Sequence, residues 1–196
     1  LRHDAHIQTV NITKDVFQGG KEINFRDTYH YNLAAYELDK LLGLNMTPPS
    51  VEREVSGQSA AVTWWVDETA MDEAERTKKK LAPPDQDKWL KQMYIVHVFD
   101  QLIYNTNRNL GNLIYSKDWK VWMIDHTRAF RMFHTLLHPA NLKKCDRKLL
   151  SRLRELKKDE LTNLLKPYLT GLEIDGILGR REVIVKWFDS EIANQG

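Results

Sequence analysis

The feature that most constrains this chain is a polar run, Asn105-Thr-Asn-Arg-Asn-Leu-Gly-Asn112, held between strongly apolar neighbours. Ahead of it, residues 88–104 carry a helical apolar face made by Trp89, Met93, Val96 and Ile103. Behind it, Leu113-Ile-Tyr115 and Val121-Trp-Met-Ile124 are joined by five polar or turn-forming residues, the pattern of a small hairpin. Asp125 follows the second arm of that hairpin. A helix therefore feeds a polar loop, and a hairpin returns an acidic residue to the same mouth. Phosphoryl transfer needs such a layout, because a divalent ion bridging phosphate oxygens takes oxygen ligands from separate stretches of chain. Asn112 and Asp125 are the candidate metal ligands. The planar fork of Arg108 suits either a structural carboxylate or a phosphate.

The rest of the chain supplies a frame. Residues 5–12 alternate as a half-buried strand, with Ala5, Ile7 and Val10 on the inner side, and Gly19 and Gly20 then mark a loop. The spacing of Leu33, Ala34, Leu38, Leu41 and Leu42 predicts a helix over residues 27–42, stopped by Gly43. Pro48 and Pro49 force an extended exit. Strands are expected at 52–55 and 60–66 about a turn at Ser56-Gly57. Acidic residues 67–75, Lys78-Lys-Lys80 and Pro83-Pro84 suit a linker between lobes, with Trp64 and Trp65 just before it as either core aromatics or the wall of a base pocket. Residues 148–193 read as helical, interrupted by Pro167 and Gly171, with Leu149, Leu150, Leu153 and Leu156 on a buried side.

Bulk properties narrow the function classes. The 29 basic and 27 acidic side chains leave a formal charge of +2, which gives no electrostatic case for a dedicated nucleic-acid binder. Cys145 is the single cysteine, so no intramolecular disulfide and no thiolate-rich metal site can form, and a reducing, cytoplasmic setting is expected. No apolar run is long enough to span a bilayer, and no charged-then-apolar leader opens the chain. The opening at Leu1, already in a strand pattern, points to further sequence upstream.

With these residues in view, the chain resembles the protein-kinase-like superfamily in its atypical branch. Asn107-Arg-Asn-Leu-Gly-Asn112 lies on the Asp-Arg-x-x-x-Asn frame of phosphatidylinositol 3- and 4-kinases and of HipA-like and secretory-pathway casein kinases. Ile124-Asp125 falls where these families place their metal-binding Asp. Tyr31 to Leu44, followed by Pro48-Pro49, is similar to the small-lobe helix of the secretory-pathway group. Residues 5–130 follow the family outline, and the narrower likeness is to an uncharacterised bacterial kinase-like group. The resemblance implies an α+β, two-lobed fold. Residues 1–67 would form a small sheet-plus-helix lobe, 68–87 a hinge and linker, and 88–196 a helical lobe carrying an active-site hairpin. It implies ATP with Mg2+ or Mn2+, the backbone at Trp65 and Val66 as the base-binding edge, and a hydroxyl acceptor on an unidentified protein or small molecule. The family's glycine-rich loop would lie upstream of Leu1.

Three departures from the family each put an amide where it carries a charge. Asn107 occupies the place of the aspartate that takes the acceptor proton, and an amide accepts no proton at neutral pH. Gln8 aligns with the nucleotide-holding lysine, and Asn32 with that lysine's glutamate partner on the helix. An amide–amide hydrogen bond between Gln8 and Asn32 is the expected substitute for the ion pair. The pattern admits an ATP-dependent phosphotransferase with altered chemistry, a nucleotide-binding pseudokinase, or an engineered Asp-to-Asn change at position 107. His126, beside Asp125, is expected to pack or hydrogen-bond rather than bind metal.

Overall fold

The computed structural model describes residues 2–17 and 22–195. The first strand pattern is not one strand but two. β1 covers Ala5–Gln8, and β2 covers Asn11–Phe17. β3, Glu22–Thr28, pairs with β2 in a two-stranded antiparallel ribbon, so residues 27 and 28 close a strand rather than open a helix. The loop expected at Gly19 and Gly20 lies outside the described residues.

α1 begins at His30 and runs to Leu42. Its apolar spacing buries Tyr31, Ala34, Ala35, Leu38 and Leu42 on one side. Leu38 is fully buried, and truncating such a leucine to alanine costs about 2–5 kcal/mol through the cavity it leaves. Gly43 ends the helix at a φ of 66°, a left-handed geometry in which a Cβ is strained. Asp39 then organises the exit, accepting the backbone N–H groups of Asn45, Met46 and Thr47 at 2.8, 2.9 and 2.9 Å. Burial pushes the Asp39 carboxyl up from its ordinary value, and these N–H donors oppose that rise.

β4 (Ser50–Val55) and β5 (Gln58–Trp64) form the expected hairpin, turned by Ser56 and Gly57 at φ values of 51° and 77°. β5 stops at Trp64, and β1 adds on its far side, giving the order β1-β5-β4. In this pairing the face of β1 is the reverse of the sequence expectation. Ile7 is 48% exposed, while Gln8 turns toward the interior of a cleft. The hydrophobic alternation of a four-residue edge strand is too short to fix which face is inner.

The polar stretch read as linker holds two elements, β6 (Thr69–Asp72) and α2 (Glu73–Lys78). Glu73 is buried there because Arg76 Nε and Tyr115 Oη each donate to its Oε2 at 2.6 Å, a pairing that composition does not reveal. α3, Gln86–Leu102, starts on the Asp85 side chain, which accepts from Lys88 N at 2.9 Å. β7 (Leu113–Ser116) and β8 (Val121–Met123) form the second expected hairpin, and β6 pairs with β7 to give the order β6-β7-β8.

α4 (Arg147–Glu155), α5 (Lys158–Leu165) and α6 (Gly171–Gln195) complete the chain, with Pro167 in the turn before α6. Leu149, Leu150, Leu153 and Leu156 are buried as their spacing requires. One hydrophobic core joins α1 to α3, the β7–β8 hairpin and the last three helices. α1 is thereby fixed to the elements that carry the polar loop. No helix among the described residues is long and apolar enough to cross a membrane.

Candidate active site

The polar run folds as a short coil followed by a 3-10 turn at Leu110–Asn112. Asn109 caps that turn, its Oδ1 accepting from Gly111 N at 2.9 Å. Asn105 is buried and directs the coil, with Nδ2 donating to Asp100 Oδ1 at 2.9 Å and Oδ1 accepting from Asn107 N at 3.0 Å. These amides take up backbone groups that neither helix nor sheet can satisfy.

Arg108 is committed inside the protein. Its Nε and one Nη2 hydrogen reach Asp100 Oδ2 and Oδ1 at 2.9 and 3.0 Å, a bidentate pair. Nη1 donates to the carbonyls of Asn112 and Ile124 at 2.6 and 3.0 Å, and Nη2 also reaches His126 Nε2 at 3.2 Å. These five contacts match the five N–H donors of a guanidinium. Of the two roles open to it in the sequence, Arg108 therefore takes the structural one. It ties the end of α3 to the loop and to the strand exit before Asp125.

Arginine only donates, so His126 Nε2 accepts and the imidazole is neutral, with its proton on Nδ1. Burial, and then the Arg108 charge, hold the His126 pKa well below its ordinary value. The ring meets Phe99 edge-on with centroids 6.1 Å apart, a packing and hydrogen-bonding role. Its backbone N–H donates to Asn32 Oδ1 at 2.7 Å. Asn32 thus grips the residue after Asp125. No Gln8–Asn32 hydrogen bond is formed among the described residues, so the expected amide–amide pair is corrected: the short strand β1 brings Gln8 to the cleft wall, and the Asn32 oxygen is taken by His126.

Asp125 sits at a φ of 52°, in the left-handed region that Asp tolerates better than most residues. Thr127 Oγ1 donates to its Oδ1 at 3.0 Å, and Asn107 Nδ2 approaches Oδ2 at 3.4 Å. Asn112 Nδ2 donates to Asn107 O at 2.9 Å, which directs its side-chain oxygen away from that bond. Among the described residues, no group of three or more His, Cys, Asp or Glu could hold a metal unaided. Asp125 and Asn112 offer oxygen donors, the type hard divalent cations prefer, and such ions commonly complete their shell with phosphates and water. The donor set fits Mg2+ or Mn2+ held jointly with a phosphate ligand.

Both residues open onto a cavity of about 300 Å³ that Gln8, Asn32, Trp64, Trp65 and Val66 also line. Neither Asn107 nor Arg108 lines it. Trp64 and Trp65 are 45% and 41% exposed, so they are cleft walls rather than core. The Trp65 N–H already donates to Asp4 O at 3.1 Å. The Val66 carbonyl accepts Thr69 Oγ1 at 2.8 Å, and no described residue accepts from its amide. The Trp65 amide is therefore committed, which leaves the Val66 amide as the open donor of this segment. Sequence reasoning missed Asp100, Asn105 and Thr127 as members of the site. Asp100 at the end of an apolar helix, eight residues before Arg108, was the available signal, because a charge there needs a partner.

No protein-family model matches the chain, and no curated protein matches it by sequence. Solved structures do. The structure of hydra Fam20 with sugar superposes with a TM-score of 0.67 at 16% identity, covering 96% of this chain and 79% of that one. A Golgi casein kinase matches with a TM-score of 0.63 at 13% identity over 94% of this chain and 65% of its own length. The Golgi casein kinase with Mn and ADP bound matches with a TM-score of 0.64 at 13% identity, again over 94% of this chain and 66% of that one. The chain thus spans about two thirds of the casein kinase structures it matches. The fold is of the atypical protein-kinase-like type, mixed α and β with small sheets and several helices.

Proposed function

We propose that this chain binds ATP with Mg2+ or Mn2+ and is an atypical kinase-type phosphotransferase acting on a hydroxyl acceptor. The observation that carries this reading is the convergence of Asp125 and Asn112, from the two ends of the β7–β8 hairpin, on one cavity walled by Trp64 and Trp65. In this reading residues 1–67 form the nucleotide lobe, 68–87 the hinge and linker, and 88–196 the helical lobe. Asp125 and Asn112 hold the metal against the nucleotide phosphates. Trp64, Trp65 and the Val66 amide receive the base. Asn107 orients the acceptor hydroxyl. The fold likeness to a casein kinase crystallised with Mn and ADP supports the ligand pair. The lone Cys145 supports a reducing, cytoplasmic setting, and the bacterial kinase-like group of the sequence resemblance is part of the same reading.

A divalent ion at this position supplies charge neutralisation of the transferring phosphoryl group. Asp125 is itself oriented by Thr127 and approached by Asn107, so the carboxylate is presented in one setting. What the chain lacks at position 107 is a group to take the acceptor proton, a loss commonly worth about 10²–10⁴-fold in rate. That favours a second reading, a pseudokinase that binds nucleotide and metal without transfer.

ATP with Mn2+ should raise the melting temperature, and Asp125→Ala should remove the rise. Absence of any shift with wild type would overturn the nucleotide site. Turnover of ATP before and after Asn107→Asp separates the two readings. Activity in both forms supports the enzyme, and activity confined to the Asp form supports the pseudokinase.

A further inference from the structure

We propose that Asn32 is a positioning residue for the metal ligand Asp125, acting through the His126 backbone, so that helix α1 sets the geometry of the metal site. The proposal rests on the nucleotide and metal reading above and assigns Asn32 a different task from nucleotide contact.

Asp125 carries a φ of 52°. A left-handed backbone at a residue with a Cβ persists only where the surroundings hold it. On its N-terminal side, Ile124 N donates to Asn112 O at 3.1 Å and Ile124 O accepts from Arg108 Nη1 at 3.0 Å. Both of these contacts come from the polar loop. On its C-terminal side, His126 N donates to Asn32 Oδ1 at 2.7 Å, and Thr127 O accepts from Thr28 N at 2.9 Å. Those two come from α1 and the strand before it. The unusual backbone at Asp125 is therefore clamped between the loop on one side and α1 on the other.

The clamp is buried and stiff. Asn32 is 7% exposed and His126 is 1% exposed, so their hydrogen bond is largely shielded from bulk water. Arg108 Nη2 holds the His126 ring from the loop side, 3.2 Å from Nε2. α1 is itself anchored at both ends, by Tyr31 Oη on Glu173 and by Asp39 on the backbone of residues 45–47. A displacement of α1 must then move His126, and with it the carboxylate of Asp125.

Chemistry separates this role from a direct nucleotide contact. Positioning requires only an oxygen lone pair facing His126 N–H, which Asp supplies and Ala does not. Contact with a phosphate through the amide would instead require the Nδ2 donor, which Asp lacks.

The test measures His126 amide hydrogen exchange by NMR and the affinity for Mn2+ with ADP by calorimetry, in wild type, Asn32→Ala and Asn32→Asp. Asn32→Ala should accelerate His126 exchange and weaken Mn2+ binding on the order of tenfold, the effect of one lost buried hydrogen bond. Asn32→Asp should keep His126 exchange near wild type, its added charge beside Asp125 being a separate effect on Mn2+. Unchanged Mn2+ affinity or unchanged His126 exchange in Asn32→Ala overturns the proposal while the nucleotide site stands. A wild-type protein that binds neither Mn2+ nor ADP overturns the site itself and the proposal with it.

Discussion

Arg108 and Asp100 form a bidentate pair between the polar loop and the end of α3, with Nε on Oδ2 at 2.9 Å and Nη2 on Oδ1 at 3.0 Å. Their side chains are 14% and 9% exposed, so the pair is desolvated and depends on its partners being complete. Arg108→Ala leaves the Asp100 carboxylate with Asn105 as its remaining side-chain partner, and should cost about 3–5 kcal/mol in urea unfolding. Arg108→Lys keeps the charge but loses the fork, and should recover only part of that loss. If Arg108 instead acted on phosphate, Arg108→Ala would leave the urea midpoint unchanged and lower nucleotide affinity alone.

The legible part of this architecture is where period and punctuation agree. α1 and α3 were visible from apolar spacing, Gly43 from its stop signal, and the β7–β8 hairpin from two apolar runs about a polar turn. That Asn112 and Asp125 reach one cavity was legible because both flank that hairpin. What the sequence concealed depends on partners far along the chain. β3 carries Arg26 and Asp27 within a ribbon whose pairing partner, not its own pattern, makes it a strand. Glu73 reads as one acid among many until Arg76 and Tyr115 surround it. The hydrogen bond of Asn32 to His126 joins residues 94 positions apart and has no local signature.

Asn107 approaches Asp125 as a donor, its Nδ2 lying 3.4 Å from Oδ2. Asn107→Asp replaces that donor with a second carboxylate, and two like charges at such a distance repel. Without metal the variant should melt below wild type. Mn2+ should raise its melting temperature by more than it raises that of wild type, because the ion removes a repulsion absent from the native chain. Melting curves at matched Mn2+ concentrations check this. Equal Mn2+ responses would mean that residue 107 does not share the electrostatic field of the metal position.

Glu73 links α2 to the hairpin and sets an acid limit to stability. Burial pushes its carboxyl up, but the hydrogen bonds from Arg76 and Tyr115 outweigh burial and hold it below its ordinary value of 4.5. A carboxylate with a depressed folded pKa contributes stability that is fully present above the unfolded value and lost as pH falls through the folded one. Wild-type stability should therefore decline below pH 4.5, and Glu73→Gln should flatten that decline. At neutral pH the same substitution should cost about 1–3 kcal/mol, the range for losing charged hydrogen bonds at a buried group. Urea midpoints across pH 3–7 measure both effects. An acid limb of equal slope in both proteins would assign the loss to other carboxylates.

Two glycines of α6 sit where helix propensity and packing oppose each other. In a helix interior, Gly→Ala gains about 1 kcal/mol of propensity. At Gly179 an added Cβ would lie 2.8 Å from His134 Cβ, which moves only with its own backbone even though the exposed ring can turn away. Gly179→Ala should therefore lose its propensity gain to a forced shift of residue 134. At Gly176 the added Cβ would lie 2.8 Å from Arg131 O and 3.1 Å from Met132 C, both backbone atoms, and 2.9 Å from Arg180 Nη1. That backbone cannot yield without breaking the bond from Arg180 Nη1 to Arg131 O, at 2.7 Å, in a fully buried setting. Overpacking of this kind costs about 1–3 kcal/mol or more, enough to cancel the propensity gain and the more so with a buried hydrogen bond lost. Gly176→Ala should consequently lower the melting temperature, and by more than Gly179→Ala does. The same displacement would pull on residues 131–133, which continue directly from the Asp125 segment, so Gly176→Ala should also weaken Mn2+ binding although it lies on a different helix from every candidate ligand. A stabilised Gly176→Ala protein with unchanged Mn2+ affinity would show that this segment moves freely over α6.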